Sequence, residues 1–253
     1  MNYLKRKISG LKKRLKSAKY GIFYFRDKEL FVPECLRING KSKRFKFMDF
    51  SSAEMAFEFN EICINDCYHL TDLKKLLSEV RVIVDIGANQ GLFAIAARQH
   101  FAHASITCYE PNKILESVLS HNAHLLNAKV YYEAVSLTDC KLRLNFGKSE
   151  LHTQTEYSEK GNITGTAFSK LVQRAGGNID IVKIDCEGAE WELLEDTSLW
   201  RGVKSVTMEY HLWANKSKTP EDVMNRLNEF GMKIISDERI SGGYGLITAA
   251  RLN

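Results

Sequence analysis

Proline is scarce in this chain, and features of several protein classes are missing altogether. Only three prolines occur in 253 residues, and no Ser/Gly/Pro-rich linker or internal repeat divides the sequence. No run of about 18 apolar residues is present, so no transmembrane helix is predicted. The start also lacks the apolar region of a secretory signal peptide. We therefore expect one domain-sized body, residues 21–253, behind an N-terminal segment, residues 1–20.

Cysteine pairs with metal-binding spacing are absent as well. The six cysteines form no C-x-x-C pair. Cys63 and Cys67 have the spacing to share a helical face, but two thiols without further ligands make a poor zinc site. Reduced thiols in a cytoplasmic protein are the expectation.

Acidic residues are missing from the first 20 positions, which carry eight lysines and arginines. The whole chain has a net charge of +5, with 36 basic and 31 acidic residues. Without those eight, 28 basic residues face 31 acidic ones, so the body is mildly acidic. A basic groove for nucleic acid is not expected there.

The basic segment has a helical apolar pattern. Its apolar residues recur at spacings of three and four, which predicts an amphipathic helix over residues 1–20: Leu4, Ile8, Leu11, Leu15 and Ala18. Such a helix suits peripheral contact of residues 1–19 with an anionic membrane, at its cytoplasmic face. Packing of the stripe on the body or on a second subunit fits the pattern equally well.

Strand and helix patterns alternate from residue 80 onward, which predicts an α/β core over residues 80–253 behind a cap at residues 21–79. The cap contains short strands, with turns at Asp27-Lys28 and Asn39-Gly40. VRVIVDIG and IDIVKID read as buried central strands, AKVYYEAVS as a single strand, and EGAEWELLE as a helix. MKIISDER and YGLITAA predict a terminal antiparallel hairpin.

A glycine loop follows the first core strand in VIVDIGANQG. Gly87 and Gly91 permit a tight turn and a close approach to a ligand, and Asp85 stands at the end of the strand. A dinucleotide site requires G-x-G-x-x-G, which is absent. The D-x-G-x-x-x-G spacing instead suits a ligand without phosphate but with an ammonium group, such as S-adenosylmethionine.

Acidic residues at the ends of later strands extend this pattern. Glu110 ends the next strand, nineteen residues after Gly91, at the usual distance for an acid that binds a ribose diol. Asp185 and Glu187 follow the strand IDIVKID, with Glu187 predicted to open a helix. Glu209 and His211 share one side of the strand VTMEYH. Charge gathered at strand ends indicates a functional site.

These motifs, taken in order, resemble those of the FkbM-type methyltransferases. The resemblance rests on VDIGANQGLF, CYEPN, EAVS, IDIVKIDCEGAE and TMEYH, and covers residues 55 to 212. It implies a Rossmann-like class I methyltransferase fold, with a mostly parallel seven-stranded sheet and a terminal hairpin. It also implies S-adenosylmethionine as cofactor, bound by these residues: Tyr68, Asp85, Gly87, Ala88, Asn89, Gly91, Glu110, Pro111, Asn112, Ala134 and Asp185. GTAFSKLVQ departs from the family's Leu-Asp pair before the fourth strand.

The resemblance further implies methyl transfer to a hydroxyl of a sugar in a glycan or glycolipid, or of a natural product. The reaction needs a base, for which His211 has the most suitable ordinary pKa; Glu209, Asp185 and Glu187 are the alternatives. Magnesium on Asp185, Glu187 and Glu209 is compatible with hard oxygen ligands, but nothing in the spacing requires a metal and none is predicted. A nucleic-acid methyltransferase and a catalytically silent adaptor are the rival classes. The acceptor and the oligomeric state stay open.

Overall fold

The computed structural model describes residues 13–22, 32–48, 52–146, 153–240 and 242–252. Residues 1–12 of the predicted amphipathic helix and the predicted turn at Asp27-Lys28 lie outside these ranges. Residues 13–19 are helical and are called α1. The helices that follow are α2 (Ala53–Phe59), α3 (Leu70–Leu76), α4 (Leu92–His100), α5 (Glu116–Leu126), α6 (Phe168–Arg174), α7 (Glu190–Leu193) and α8 (Pro220–Glu229).

The strands form three sheets among the described residues. They are β1 (Cys35–Ile38), β2 (Lys41–Arg44), β3 (Val82–Ile86), β4 (Ser105–Tyr109), β5 (Ala128–Tyr131), β6 (Ala134–Ser136), β7 (Cys140–Phe146), β8 (Thr153–Tyr157), β9 (Ile163–Ala167), β10 (Ile181–Ile184), β11 (Ser205–His211), β12 (Lys233–Ile240) and β13 (Tyr244–Ala250). The largest sheet has seven strands in the order β12-β13-β11-β10-β3-β4-β5. Only β13 runs against its neighbours, which confirms the mostly parallel sheet and the terminal hairpin.

Both faces of this sheet are covered, as the continuous apolar strands predicted. In β3, Ile83 packs with the cluster that contains α2, α4 and α5, whereas Val84 and Ile86 pack with α6, α7 and α8 on the opposite face. Burial of successive residues on opposite faces explains why β3 has no polar alternation.

The cap shares the core of one face. Tyr20, from just after α1, is buried and packs edge to face against Phe59 of α2, with ring centroids 6.2 Å apart. The predicted turn at Asn39-Gly40 joins β1 to β2, and both of its residues have positive φ, 48° and 81°. Of the apolar stripe, Leu15 is 63% exposed, while Ser17 beside it is buried. The described part of α1 therefore docks through Ser17 and Tyr20, and Leu15 faces solvent.

Two expectations about the elements were wrong. AKVYYEAVS is not one strand: β5 belongs to the seven-stranded sheet, and β6 pairs with β9 in a four-stranded sheet, β6-β9-β7-β8, that the sequence did not suggest. The chain turns away at Glu133, whose carboxylate binds Arg174 at 2.6 Å and Thr166 at 2.5 Å. This side-chain anchor overrides the uninterrupted strand propensity.

The second wrong expectation concerns Glu187, which does not begin a helix. Its φ is +52° and that of Gly188 is +111°, so α7 begins only at Glu190 and is four residues long. The carboxylate of Glu190 accepts the amide of Gly188 at 2.8 Å, which holds this turn outside the helix. Among the described residues, no helix combines the length and apolar character needed to cross a bilayer.

Candidate functional site

The β3–α4 loop is fitted closely against the strands beside it. A Cβ on Gly87 would lie 1.8 Å from the carbonyl oxygen of Asp185, and the φ of Gly87 is +73°. Only glycine therefore lets the loop cross the end of β10. The amides of Gly87 and Ala88 both donate to the carbonyl of Tyr109, at 3.0 Å each, and Asn89 has a φ of 49°. These bonds fix the loop at the carboxyl ends of β3, β4 and β10.

Glu110 is joined to this loop by its side chain. Its Oε2 accepts the amide of Asn89 and its Oε1 accepts the amide of Asn112, both at 2.8 Å. The residue is only 6% exposed. Burial raises the pKa of Glu110 to about 7, although the two backbone amides act against the rise. The structure thus brings together the two features, loop and acid, that the sequence had related only by spacing.

A first cavity opens directly beyond Glu110. Eight of the residues predicted for the site line it: Gly87, Asn89, Glu110, Pro111, Asn112, Ala134, Asp185 and Glu187. Tyr109, Leu115 and Val135 add apolar surface, and Thr155 reaches it from the four-stranded sheet. A cavity with the Glu110 carboxylate at its wall and apolar residues beside it suits a nucleoside, which has a polar ribose and a flat base.

A second cavity, of about 280 Å³, adjoins the first and lies between the cap and the β12–β13 hairpin. Gly87, Asn89, Asp185 and Glu187 line both cavities, so the two share part of their wall. The predicted residues Tyr68, Ala88 and Glu209 also line the second cavity. Asp85, Gly91 and His211 are not among the lining residues of either.

Tyr68 reaches the second cavity from a short turn between a π-helical segment, Asn60–Asn65, and α3. Asp66 has a φ of 63°, and its carboxylate accepts the first two amides of α3 at 2.8 and 3.0 Å. This turn directs the hydroxyl of Tyr68 to Oδ2 of Asp185, at 3.4 Å. Burial, together with the charge of Asp185, raises the pKa of Tyr68, so the hydroxyl keeps its proton and donates.

Asp85 lies one layer behind the cavities and is fully buried. The ammonium of Lys183 lies 3.5 Å from Asp85 and 3.5 Å from Asp185, and donates to the carbonyl of Gly87 at 2.6 Å. Burial raises the pKa of Asp85 to about 6, with Lys183 opposing the rise. Burial lowers the pKa of Lys183, but Asp185 and Asp85 outweigh it and raise the pKa overall. The cation next to Asp85 in this structure is therefore Lys183, which also secures the glycine loop.

His211 is held by a carboxylate whose role the sequence did not reveal. Oε1 of Glu190 accepts the His211 amide at 2.7 Å and lies 3.0 Å from its Nδ1. On the other side of the ring, Nε2 lies 3.3 Å from Glu209 and 3.8 Å from Glu187. Burial lowers the pKa of His211, but the hydrogen bonds with Glu190 and Glu209 outweigh it and raise the pKa to about 10. The imidazole is therefore charged at neutral pH, unlike the neutral base that its ordinary pKa suggested.

Four further residues at or behind the cavities were not predicted from the sequence. Glu190 and Lys183 stand inside the charged motif IDIVKIDCEGAE, so their presence was visible but their partners were not. Thr155 and Tyr244 carried no signal, because a strand residue reveals nothing of the distant strand it meets.

The chain matches the family described as "Methyltransferase FkbM domain" over residues 85–234. It is 26% identical to Methyltransferase sdnD of Sordaria araneosa, covering 83% of this chain and 95% of that protein. It is 23% identical to Methyltransferase 1 of Beauveria bassiana, covering 62% of this chain and 73% of that protein.

Two solved structures show the level of similarity in the fold. Magnesium protoporphyrin IX methyltransferase from Synechocystis, solved with bound SAM, gives a TM-score of 0.48 at 12% identity and covers 81% of this chain and 86% of its own. Precorrin-6y C5,15-methyltransferase from Geobacter metallireducens gives 0.43 at 14% identity, with coverages of 72% and 86%.

Proposed function

Because the chain belongs to the FkbM methyltransferase family, we propose that it methylates a hydroxyl of a neutral, sugar-like acceptor in a glycan or glycolipid. It is an S-adenosylmethionine-dependent methyltransferase, and S-adenosylmethionine is its cofactor. When bound, the cofactor supplies an electrophilic methyl group.

The acidic wall of the second cavity supports a neutral acceptor. Six carboxylate residues line it: Glu58, Glu61, Asp185, Glu187, Glu209 and Glu238. The cationic residue of that lining is Lys183, whose ammonium is engaged by two aspartates and the glycine loop. A phosphate in this cavity meets like charge, which disfavours sugar phosphates, nucleotides and nucleic acid.

A polyol fits this wall better than an apolar natural product. Each hydroxyl of a sugar donates a hydrogen bond, and an ionised carboxylate only accepts. An apolar acceptor would desolvate the carboxylates without replacing their hydrogen bonds, which is costly. The same chemistry makes a sugar hydroxyl preferable to an isolated hydroxyl on an apolar scaffold.

The cofactor is assigned to the first cavity and the adjoining edge of the second. Glu110 would accept hydrogen bonds from the ribose diol, and Ala134 and the apolar residues around it would hold the base. Gly87, Ala88, Asn89 and Tyr68 would hold the cofactor's amino-acid end. Gly91 acts indirectly, since it lets α4 begin at Leu92 with its N-terminus towards the loop.

Asp185 and Glu209 are the proton acceptors that this arrangement favours. Both line the second cavity, whereas His211 is 3% exposed and lies behind Glu209. One of these carboxylates would accept the proton of the acceptor hydroxyl as that oxygen receives the methyl group. His211 then acts by orienting Glu209.

Transfer of a labelled methyl group to paired acceptors tests the proposal. Each pair consists of one sugar in its neutral form and in its phosphorylated form. RNA is tested as a separate acceptor. We expect label in the neutral sugars, and label confined to the phosphorylated members or to RNA would contradict the proposal. Glu209→Gln should lower turnover about 10²–10⁴-fold while S-adenosylhomocysteine still binds. Glu195→Gln, an exposed change of the same kind, is the matched control.

We also propose that the basic segment brings the enzyme to an anionic membrane. Since α1 docks through Ser17 and Tyr20, Leu15 is left on the solvent side. A lysine or arginine near such a surface contributes on the order of 1 kcal/mol, within the limits of salt screening. A glycolipid acceptor presented at that surface is consistent with the neutral, polyol-binding cavity.

A further inference from the structure

We infer that Asp185, Glu209 and His211 form a site for one divalent cation, of the Mn²⁺ or Mg²⁺ class, at the floor of the second cavity. One potential ligand atom from each of the three lies within 4.8 Å of the others. Two carboxylates and an imidazole offer oxygen and nitrogen donors from three different positions. The binding of the ion does not depend on the proposed acceptor; only its role in the reaction does.

The available ligand atoms are the first reason. The contacts of Asp185 with Lys183 and with Tyr68 both fall on Oδ2, so Oδ1 remains on the other side of the carboxylate. Glu209 contacts His211 through Oε1. Asp185 and Glu209 both line the cavity, so an ion between them also has room for water and for an acceptor oxygen.

The position of His211 is a second, separate reason. Glu190 is fully buried and engages both Nδ1 and the amide of His211, so that the ring presents Nε2 to Glu209. A carboxylate behind a histidine, fixing the orientation of its other nitrogen, is the usual support of a metal-ligating imidazole. A histidine that only packs in the core does not need one carboxylate on both its ring nitrogen and its backbone amide.

The local charge is the third reason. Five carboxylates gather around the ammonium of Lys183 and the imidazole of His211 in this part of the sheet edge: Asp85, Asp185, Glu187, Glu190 and Glu209. Negative charge in excess is expensive to keep in a partly buried place without a cation. A divalent ion between Asp185 and Glu209 offsets it.

In the proposed reaction the ion would hold the acceptor hydroxyl and polarise its O–H bond. The three ligands come from the ends of β10 and β11, so the ion would lie at the sheet edge beside the cofactor's end of the second cavity. On binding the ion, His211 would release its Nε2 proton to water and become a ligand, in place of the role of orienting Glu209.

Binding of Mn²⁺ to metal-free, full-length protein tests the inference without cofactor or acceptor. Loss of the free-ion signal in electron paramagnetic resonance should show one ion per chain. Glu209→Gln should weaken binding at least about tenfold, and Glu190→Gln, which alters only the support of the ligand, by about 10–100-fold. Glu238→Gln removes a charge from the same cavity wall outside the three ligands, and should leave the affinity within about twofold.

Three results would overturn the inference: no stoichiometric Mn²⁺ binding, Glu209→Gln with wild-type affinity, or Glu238→Gln as damaging as Glu209→Gln. Titration of each sample with S-adenosylhomocysteine shows that a variant is folded. If S-adenosylhomocysteine binds and neutral sugars are methylated at the full rate after chelator treatment, the role of the ion in the reaction is refuted and the proposed function stands. If the ion binds but only phosphorylated acceptors are methylated, the proposed function is refuted and the metal site stands.

Discussion

Replacing Glu110 with glutamine separates the proposed cofactor role of this residue from its role in folding. In the wild type each carboxylate oxygen accepts one backbone amide, from Asn89 and from Asn112. An amide side chain has one oxygen, so it satisfies one of these N–H groups and turns its own NH₂ towards the other. One of the two backbone amides that Glu110 now holds therefore loses its acceptor.

The effect on stability follows from two opposing contributions. The pKa of Glu110 rises from 4.5 to about 7 on folding. At roughly 1.4 kcal/mol for each pKa unit, the charged form costs about 3 kcal/mol of folding stability well above pH 7. Glutamine removes that cost but leaves a backbone amide unsatisfied, which costs about 1–3 kcal/mol. The free energy of unfolding at pH 8 should therefore change little.

The pH dependence has a definite sign. The folded protein binds the Glu110 proton more tightly than the unfolded chain, so this group destabilises the fold at high pH. The penalty is lost as the pH falls through about 7 towards 4.5. Between pH 8 and pH 5 the wild type should gain stability relative to Glu110→Gln, measured as the difference in their melting temperatures at each pH.

Cofactor affinity should behave differently from stability. The ribose diol loses an ionised acceptor, worth about 1–3 kcal/mol, so the Kd for S-adenosylhomocysteine should rise about 10- to 100-fold at pH 8 in calorimetry. Glu116→Gln, an exposed substitution in the first turn of α5, changes the charge equally and is the control. Wild-type affinity in folded Glu110→Gln, or an equal loss in Glu116→Gln, would refute the assignment.

Three further changes test other parts of the structure. Gly87→Ala should strongly lower the melting temperature, because its Cβ would meet the Asp185 carbonyl. The control Gly176→Ala, at a φ of +83° but with open space around it, should lower the free energy of unfolding by only about 1–2 kcal/mol. Equal effects would contradict the close fit of the loop. Lys183→Met should reduce the free energy of unfolding in urea by about 3–5 kcal/mol, because it leaves buried carboxylates without their cation; a more stable variant would show that the pair is dispensable. Leu15→Asp should reduce sedimentation with anionic vesicles at low salt without changing the melting temperature; if neither protein sediments, the membrane proposal fails.

The proximity of the glycine loop and Glu110 was predictable because both directly follow the strands that carry them. In a parallel sheet the carboxyl ends of neighbouring strands meet at one edge. A glycine loop after β3 and an acid after β4 therefore had to lie together once the strands were recognised. The seven-stranded sheet and its terminal hairpin followed from the same local patterns and from the family resemblance.

Other features depended on contacts between residues distant in the chain. The predicted start of α7 was wrong because the carboxylate of Glu190 fixes the turn at Gly188. The predicted single strand AKVYYEAVS is two strands because Glu133 is anchored to Arg174. Neither contact leaves a trace in local propensity.

The sequence by itself determined the fold class, the family and the cofactor, because strand periodicity, turn-forming glycines and motif order are local properties of the chain. Only the tertiary structure decided the charge of His211 and the acidity of the second cavity. The pKa of a side chain depends on burial and on neighbouring charges, and for His211 these come from Glu190 and Glu209, brought to one point by α7 and β11. The cap and the hairpin complete the cavity from opposite ends of the sequence, so its chemistry exists only after the chain has folded.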